Sequence, residues 1–110
     1  MTTEYKVLGQ EIPAANVLTT LYTAPAGKQA VCSTLTICNQ GAAYAQYSVA
    51  VRPEGAAIAA KHYIVYLADI APKETVFLTI GMTLAATDVL SVKASTSEVS
   101  FGLFGSEVAP

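Results

Sequence analysis

Apolar residues recur at every second position along most of this chain, and turn residues interrupt the alternation at intervals of about ten, the rhythm of short strands folded into a sandwich. Residues 5–12 alternate weakly and stop at Pro13, which suits an amino-terminal edge strand because proline cannot donate to a ladder. Residues 17–23 form a second run, closed by the turn Ala24-Pro-Ala-Gly27. The clearest strand spans 29–39, with Val31, Leu35 and Ile37 on one face and Cys32, Thr34, Thr36 and Cys38 on the other. After Asn39-Gln-Gly41 the run 44–52 sets Ala45, Tyr47, Val49 and Val51 against Tyr44, Gln46, Ser48 and Ala50, so the two runs predict a hairpin at the centre of one sheet.

Pro53-Glu-Gly55 breaks the pattern, and alanine's propensity suits a short helical turn within 56–60, read as a connection between sheets. Residues 61–67 form a strand with Tyr63, Val65 and Leu67 opposite His62, Ile64 and Tyr66, both faces apolar enough to be covered. Residues 69–73 turn, 75–80 form a strand whose Val76, Leu78 and Ile80 face away from Thr75, Phe77 and Thr79, and 81–87 read as a loop. Residues 88–94 place Leu90, Val92 and Ala94 inward, and 99–107 place Val99, Phe101 and Leu103 inward, with Gly102 and Gly105 marking close approach or a bulge. The sum is an all-β chain of about eight strands, a two-sheet antiparallel β-sandwich of immunoglobulin-like or jelly-roll kind. Residues 1–110 read as one domain, with 1–12 and 105–110 as terminal arms.

Composition then alters the picture of the surface. Of the 110 residues 53% are hydrophobic and only 13% charged, about half the usual share, so much of the exterior must be uncharged and suited to covering by other subunits. A net charge of −2 and six cations scattered singly argue against nucleic acid, which demands clustered Lys and Arg. The sequence lacks the apolar run of a membrane span, and residues 1–4 lack the basic start of a signal peptide, so synthesis in a cytoplasm is expected.

The chemical inventory is short. Cys32 and Cys38 are too far apart along an extended strand to bridge, so both are expected as free thiols on one strand face. Neither the spacing of a zinc site nor a cluster of oxygen ligands for calcium is present, Asp69 and Asp88 standing alone in separate turns, and no cofactor is expected. A nucleophilic pair could be assembled only from His62 with Cys32 or Cys38, and a lone strand histidine is more often packed than catalytic, so the chain reads as non-enzymatic. The six tyrosines, Tyr5, Tyr22, Tyr44, Tyr47, Tyr63 and Tyr66, carry more information, because tyrosine joins a large apolar ring to a polar tip and is enriched at interfaces. Tyr44 and Tyr66, on the less inward faces, are candidates for partner contact, as are His62 and Lys61. Sugar stacking is the alternative use of such rings, weakened by the lack of tryptophan.

The segments Tyr22-Thr-Ala-Pro-Ala-Gly27, Thr34-Leu-Thr-Ile-Cys-Asn39, Ser48-Val-Ala-Val-Arg-Pro53, Lys61-His-Tyr-Ile64, Gly81-Met-Thr-Leu84, Asp88-Val-Leu-Ser-Val92 and Val99-Ser-Phe-Gly-Leu-Phe-Gly105 together resemble the small β-sandwich virion proteins of tailed bacteriophages, including those of cyanobacterial hosts. The resemblance implies a capsid decoration or cement protein, located in the virion, bound to the major capsid protein or other virion proteins and assembling as a homotrimer. Tail, collar or fibre components, and a carbohydrate- or receptor-binding module, are the alternatives. It is a pattern of strands and turns, and it assigns no contact residue.

Overall fold

The computed structural model describes residues 2–109, leaving Met1 and Pro110, the outermost residues of the expected arms, outside the described residues. Eight strands run β1 (Thr2–Glu11), β2 (Thr19–Thr23), β3 (Gln29–Asn39), β4 (Ala45–Arg52), β5 (Tyr63–Ile70), β6 (Thr75–Leu84), β7 (Val89–Ala94) and β8 (Val99–Ala109). They form two four-stranded antiparallel sheets, ordered β1-β8-β3-β6 and β2-β7-β4-β5. Each half of the chain therefore pairs with the other in nested order, β1 with β8, β2 with β7, β3 with β6 and β4 with β5. This winding is the jelly roll, which decides between the two sandwiches expected from the sequence.

The inner faces carry the core. Leu35, Ile37, Val99, Phe101 and Leu103 of the first sheet meet Tyr47, Val49, Leu90, Val92 and Ala94 of the second, all buried. The inward positions expected for β4, β7 and β8 are thus the observed ones, apart from a half-buried Val51.

Several expectations are corrected. β3 and β4 are not a hairpin: they lie in different sheets, and the 40–44 loop crosses between them. Asn39 explains the crossing, because its buried amide donates to the carbonyls of Ala43, Ile70 and Ala71 while its oxygen accepts from the Gly41 N–H. It thereby binds the β3–β4 crossing to the neighbouring β5–β6 crossing. The face assignment of β3 also fails, since a bulge at Ser33 shifts the register between Cys32 and Thr34. Cys32 consequently points into the core and Val31 outward, and the two cysteines occupy opposite faces, both as free thiols.

Other boundaries move for similar local reasons. β6 continues through the segment expected as a loop because Gly81, at φ +55°, absorbs a bulge and lets the ladder resume at Met82. β5 begins at Tyr63, with His62 on a 3₁₀ turn (Ala60–His62), and extends to Ile70, so Asp69 stands in a strand. Ala56–Ala59 is not helical; the turns fall on either side of it, at Pro53–Gly55 and Ala60–His62. The segments expected as arms are strands here, β1 and β8 pairing from Thr2↔Ala109 to Glu11↔Phe101.

Candidate functional site

Two surfaces stand out, one on each sheet. On the first sheet, register fixes which side chains face outward: Tyr5 and Val7 from β1, Phe104 and Ser106 from β8, Val31, Thr34 and Thr36 from β3, Phe77 and Thr79 from β6. All four charged residues in these strands, Glu4, Lys6, Glu11 and Glu107, fall on the opposite parity, level with Glu107, Gly105, Phe101 and Ala30. The side chains that point straight out from this sheet are therefore uncharged, and charge reaches the face only at its β1 rim, from Lys6 and Glu11. Tyr5 and Phe77 project from it, 87% and 70% exposed.

Phe104 divides this face. Its ring lies over Gly102, where an added Cβ would stand 3.2 Å from the ring edge. On one side is a depression of about 360 Å³ among Gln10, Glu11, Thr36, Gln40, Ser100 and Gly102. On the other is one of about 480 Å³ among Tyr5, Lys6, Val31, Ser33 and Ser106. Both are open and shallow, a shape that suits a broad partner surface better than an enclosed small molecule.

The outer face of the second sheet is different in character. Arg52, Asp69 and Lys93 place charge there, and Gln46 donates to Asp69 at 3.3 Å. The 53–62 loop folds back over part of it, held by the Arg52 guanidinium on Ser91 Oγ at 3.1 Å and on the Ala56 carbonyl at 3.1 Å. Beside this loop the rings of Tyr63 and Tyr66 meet edge-to-face, centroids 5.0 Å apart, bordering with Ile58, Ala59 and Ala60 a cavity of about 380 Å³.

The residues singled out from sequence do not converge on one site. Tyr66, 66% exposed, is part of the tyrosine pair; Tyr44, 70% exposed, stands in the loop before β4, beyond the Ala45↔Ile70 end of the ladder. Lys61 is exposed. His62 is buried, its Nδ1 accepting from the Ala59 N–H at 3.0 Å, so its ring shapes the loop that borders the cavity. Cys32 is in the core, where burial pushes its thiol up to about 11, and Cys38 faces outward on the first sheet. Among the described residues no three His, Cys, Asp or Glu side chains gather as metal ligands, and no helix is long and apolar enough to cross a membrane.

Sequence reasoning did not find Tyr5, Phe77, Phe104 or Glu107. Phe77 was legible as an outward residue, but only register shows that its neighbours carry no charge. Glu107, on an inward position of β8, is buried: Tyr22 OH donates to Oε2 at 2.5 Å and Lys6 Nζ to Oε1 at 2.9 Å, with Lys28 at 3.8 Å. The bond from Tyr22, then that from Lys6, holds the carboxyl below the usual carboxylate range, while burial raises the Tyr22 phenol. The cluster joins β1, β2 and β8 near the Thr2↔Ala109 end of the first sheet.

The architecture is thus a jelly-roll sandwich with one outer face uncharged except at its rim and one outer face bearing charge at its centre. No protein-family model matches the chain, and no curated protein does. Among solved structures it is similar to a chain in the structure of infectious bursal disease virus, Gx strain, at 11% identity and a TM-score of 0.48, covering 96% of this chain and 31% of that one. A chain from the Gt strain gives 11% identity and a TM-score of 0.47, with 96% and 32% covered. The chain spans about a third of the length of those viral chains.

Proposed function

We propose that this chain is a non-enzymatic virion structural protein, a decoration or cement component that binds across neighbouring capsid subunits. The outer face of the first sheet, whose outward side chains are uncharged between a rim of Lys6 and Glu11, carries this reading. The central surface of Thr, Ser, Val and exposed aromatic rings can be covered without burying a charge, Lys6 being paired with Glu107 and Glu11 standing at the rim. A cement protein that touches two capsomers adds association free energy only to the assembled shell, and many modest contacts then act together. The rigid two-sheet scaffold supports such a role, and the resemblance noted in the sequence agrees with it. Tail, collar and fibre positions make the same physical demand.

The test is quantitative mass spectrometry of purified particles, together with a reconstruction into which this chain is fitted. The expected result is many copies per particle with the first sheet's outer face turned to its neighbour; absence from the particles overturns the reading. Phe104→Lys is expected to weaken attachment at least tenfold while leaving the isolated chain folded. The tyrosine pair beside the 53–62 loop favours a second reading, carbohydrate or receptor binding, since ring faces over a shallow cavity suit a sugar. A glycan array comparing the chain with Tyr66→Ala tests it, an unchanged pattern counting against it.

A further inference from the structure

Four strands end the two sheets, and three of them carry features that discourage pairing with another chain. β1 carries Glu4, Lys6 and Glu11; β2 is only five residues long and bulged at Leu21; β5 is bulged twice, with Leu67 at φ +50° and Asp69 exposed. β6 has none of these features before Gly81. Its stretch Thr75-Val-Phe-Leu-Thr-Ile80 holds no charge, no proline and no break in register with β3 from Thr75 to Thr79.

The Asn39 N–H donates to the Glu74 carbonyl at 2.9 Å, which makes Asn39 and Glu74 a hydrogen-bonded pair of the antiparallel ladder. Such pairs alternate with non-bonded ones. Val76 and Leu78 therefore spend their backbone groups on β3, and Thr75, Phe77 and Thr79 direct theirs to the open side.

We propose that β6 is a self-association edge, pairing antiparallel with β6 of a second copy about a two-fold axis through Phe77. Of the registers open to a two-fold, this one engages all three free residues: Phe77 bonds its symmetry mate and Thr75 bonds Thr79 of the other copy, giving six backbone hydrogen bonds before the bulge at Gly81 ends the ladder. The side chains match as well. Outward, Phe77 meets Phe77 and each Thr75 meets a Thr79; inward, Val76 meets Leu78. Aromatic and threonine pairs of this kind are favourable across strands, and no like charges oppose one another within the stretch. A second copy supplies this neutral, parity-matched strand, and the uncharged β3–β6 side of the outer face then continues across an eight-stranded sheet, with the Lys6 and Glu11 rims at its two far edges. The pairing is a property of the chain in solution and does not depend on the virion reading.

Sedimentation equilibrium of the full chain across about 1–300 μM tests it, with Thr79→Pro as the principal variant. Proline at 79 removes an N–H aimed at the open side and leaves the β3 ladder its partners. The wild type is expected to form dimers, and Thr79→Pro and Phe77→Lys to raise the dimer dissociation constant at least tenfold, with circular dichroism unchanged. Should Thr79→Pro unfold, Phe77→Lys, which alters only an exposed side chain, decides. Phe77→Cys in a Cys38→Ser background is expected to cross-link to itself on mild oxidation, since a hydrogen-bonded pair places its Cα atoms about 5.5 Å apart, within disulfide reach. A chain that is monomeric throughout, or dimers that Phe77→Lys leaves equally tight, overturns the proposal.

Discussion

Glu107 is a carboxylate whose two oxygens are both engaged, one by a buried phenol and one by an ammonium group. Because its folded-state affinity for protons is lowered, the stability it contributes is fully present above its ordinary pKa of 4.5 and is lost as pH falls through the lower folded value. Tyr22→Phe removes the buried donor without altering the ring. It is expected to cost about 1.5–3 kcal/mol at neutral pH, the usual worth of a hydrogen bond to a charged group, and to shift the acid limb of the stability profile upward. Urea unfolding of both chains between pH 7 and pH 2 measures this; curves that stay parallel through the acid limb would show that the phenol does not set the carboxyl's protonation. On the alkaline side the sign reverses, because burial raises the Cys32 thiol and the Tyr22 phenol, so stability falls as pH rises above 9.

At the level of strands, alternation was legible wherever a strand was regular. Leu90, Val92 and Ala94, or Val99, Phe101 and Leu103, face the core as their spacing implies. It failed where a bulge reset the parity. Leu8 in β1 and Ser33 in β3 are the irregular residues of the two strands that flank β8, opposite its 103–105 stretch, and neither looks unusual in sequence. The physical cause sits on β8: a Cβ at Gly105 would collide with the Val31 carbonyl oxygen and stand 3.1 Å from Cys32 Cα. The backbones approach too closely there for any side chain, so the glycine was readable as a point of contact while its consequence for β3 was not. Gly105→Ala is expected to cost about 1–3 kcal/mol through overpacking against backbone that cannot rotate away, read from the urea midpoint. The site was obscured for a related reason: an uncharged sheet face exists only once four strands distant in sequence share a register.

For the whole molecule, the decisive pairing is the one between its ends. β1 bonds β8 from Thr2↔Ala109 to Glu11↔Phe101, and only this pairing keeps β8 from becoming a sheet edge. The same strand brings Lys6 to Glu107 and lays Gly9 against the Leu21 carbonyl of the second sheet, so it closes the sandwich as well as the ladder. For either terminal segment to serve as an arm, β1 would have to leave β8, giving up about nine registered pairs at roughly 0.5–1.5 kcal/mol per hydrogen bond. Domains of this size hold only about 5–15 kcal/mol in all. Deletion of residues 1–11 is accordingly expected to leave a chain largely unfolded at 25 °C, followed by far-ultraviolet circular dichroism and by loss of amide protection along β8. An unchanged urea midpoint in the truncated chain would instead identify β1 as a dispensable strand, free to be exchanged with a neighbour. The two outcomes are well separated, because loss of the strand also strips the buried Glu107 carboxylate of its hydrogen-bonded ammonium at 2.9 Å and leaves it only the more distant Lys28 at 3.8 Å.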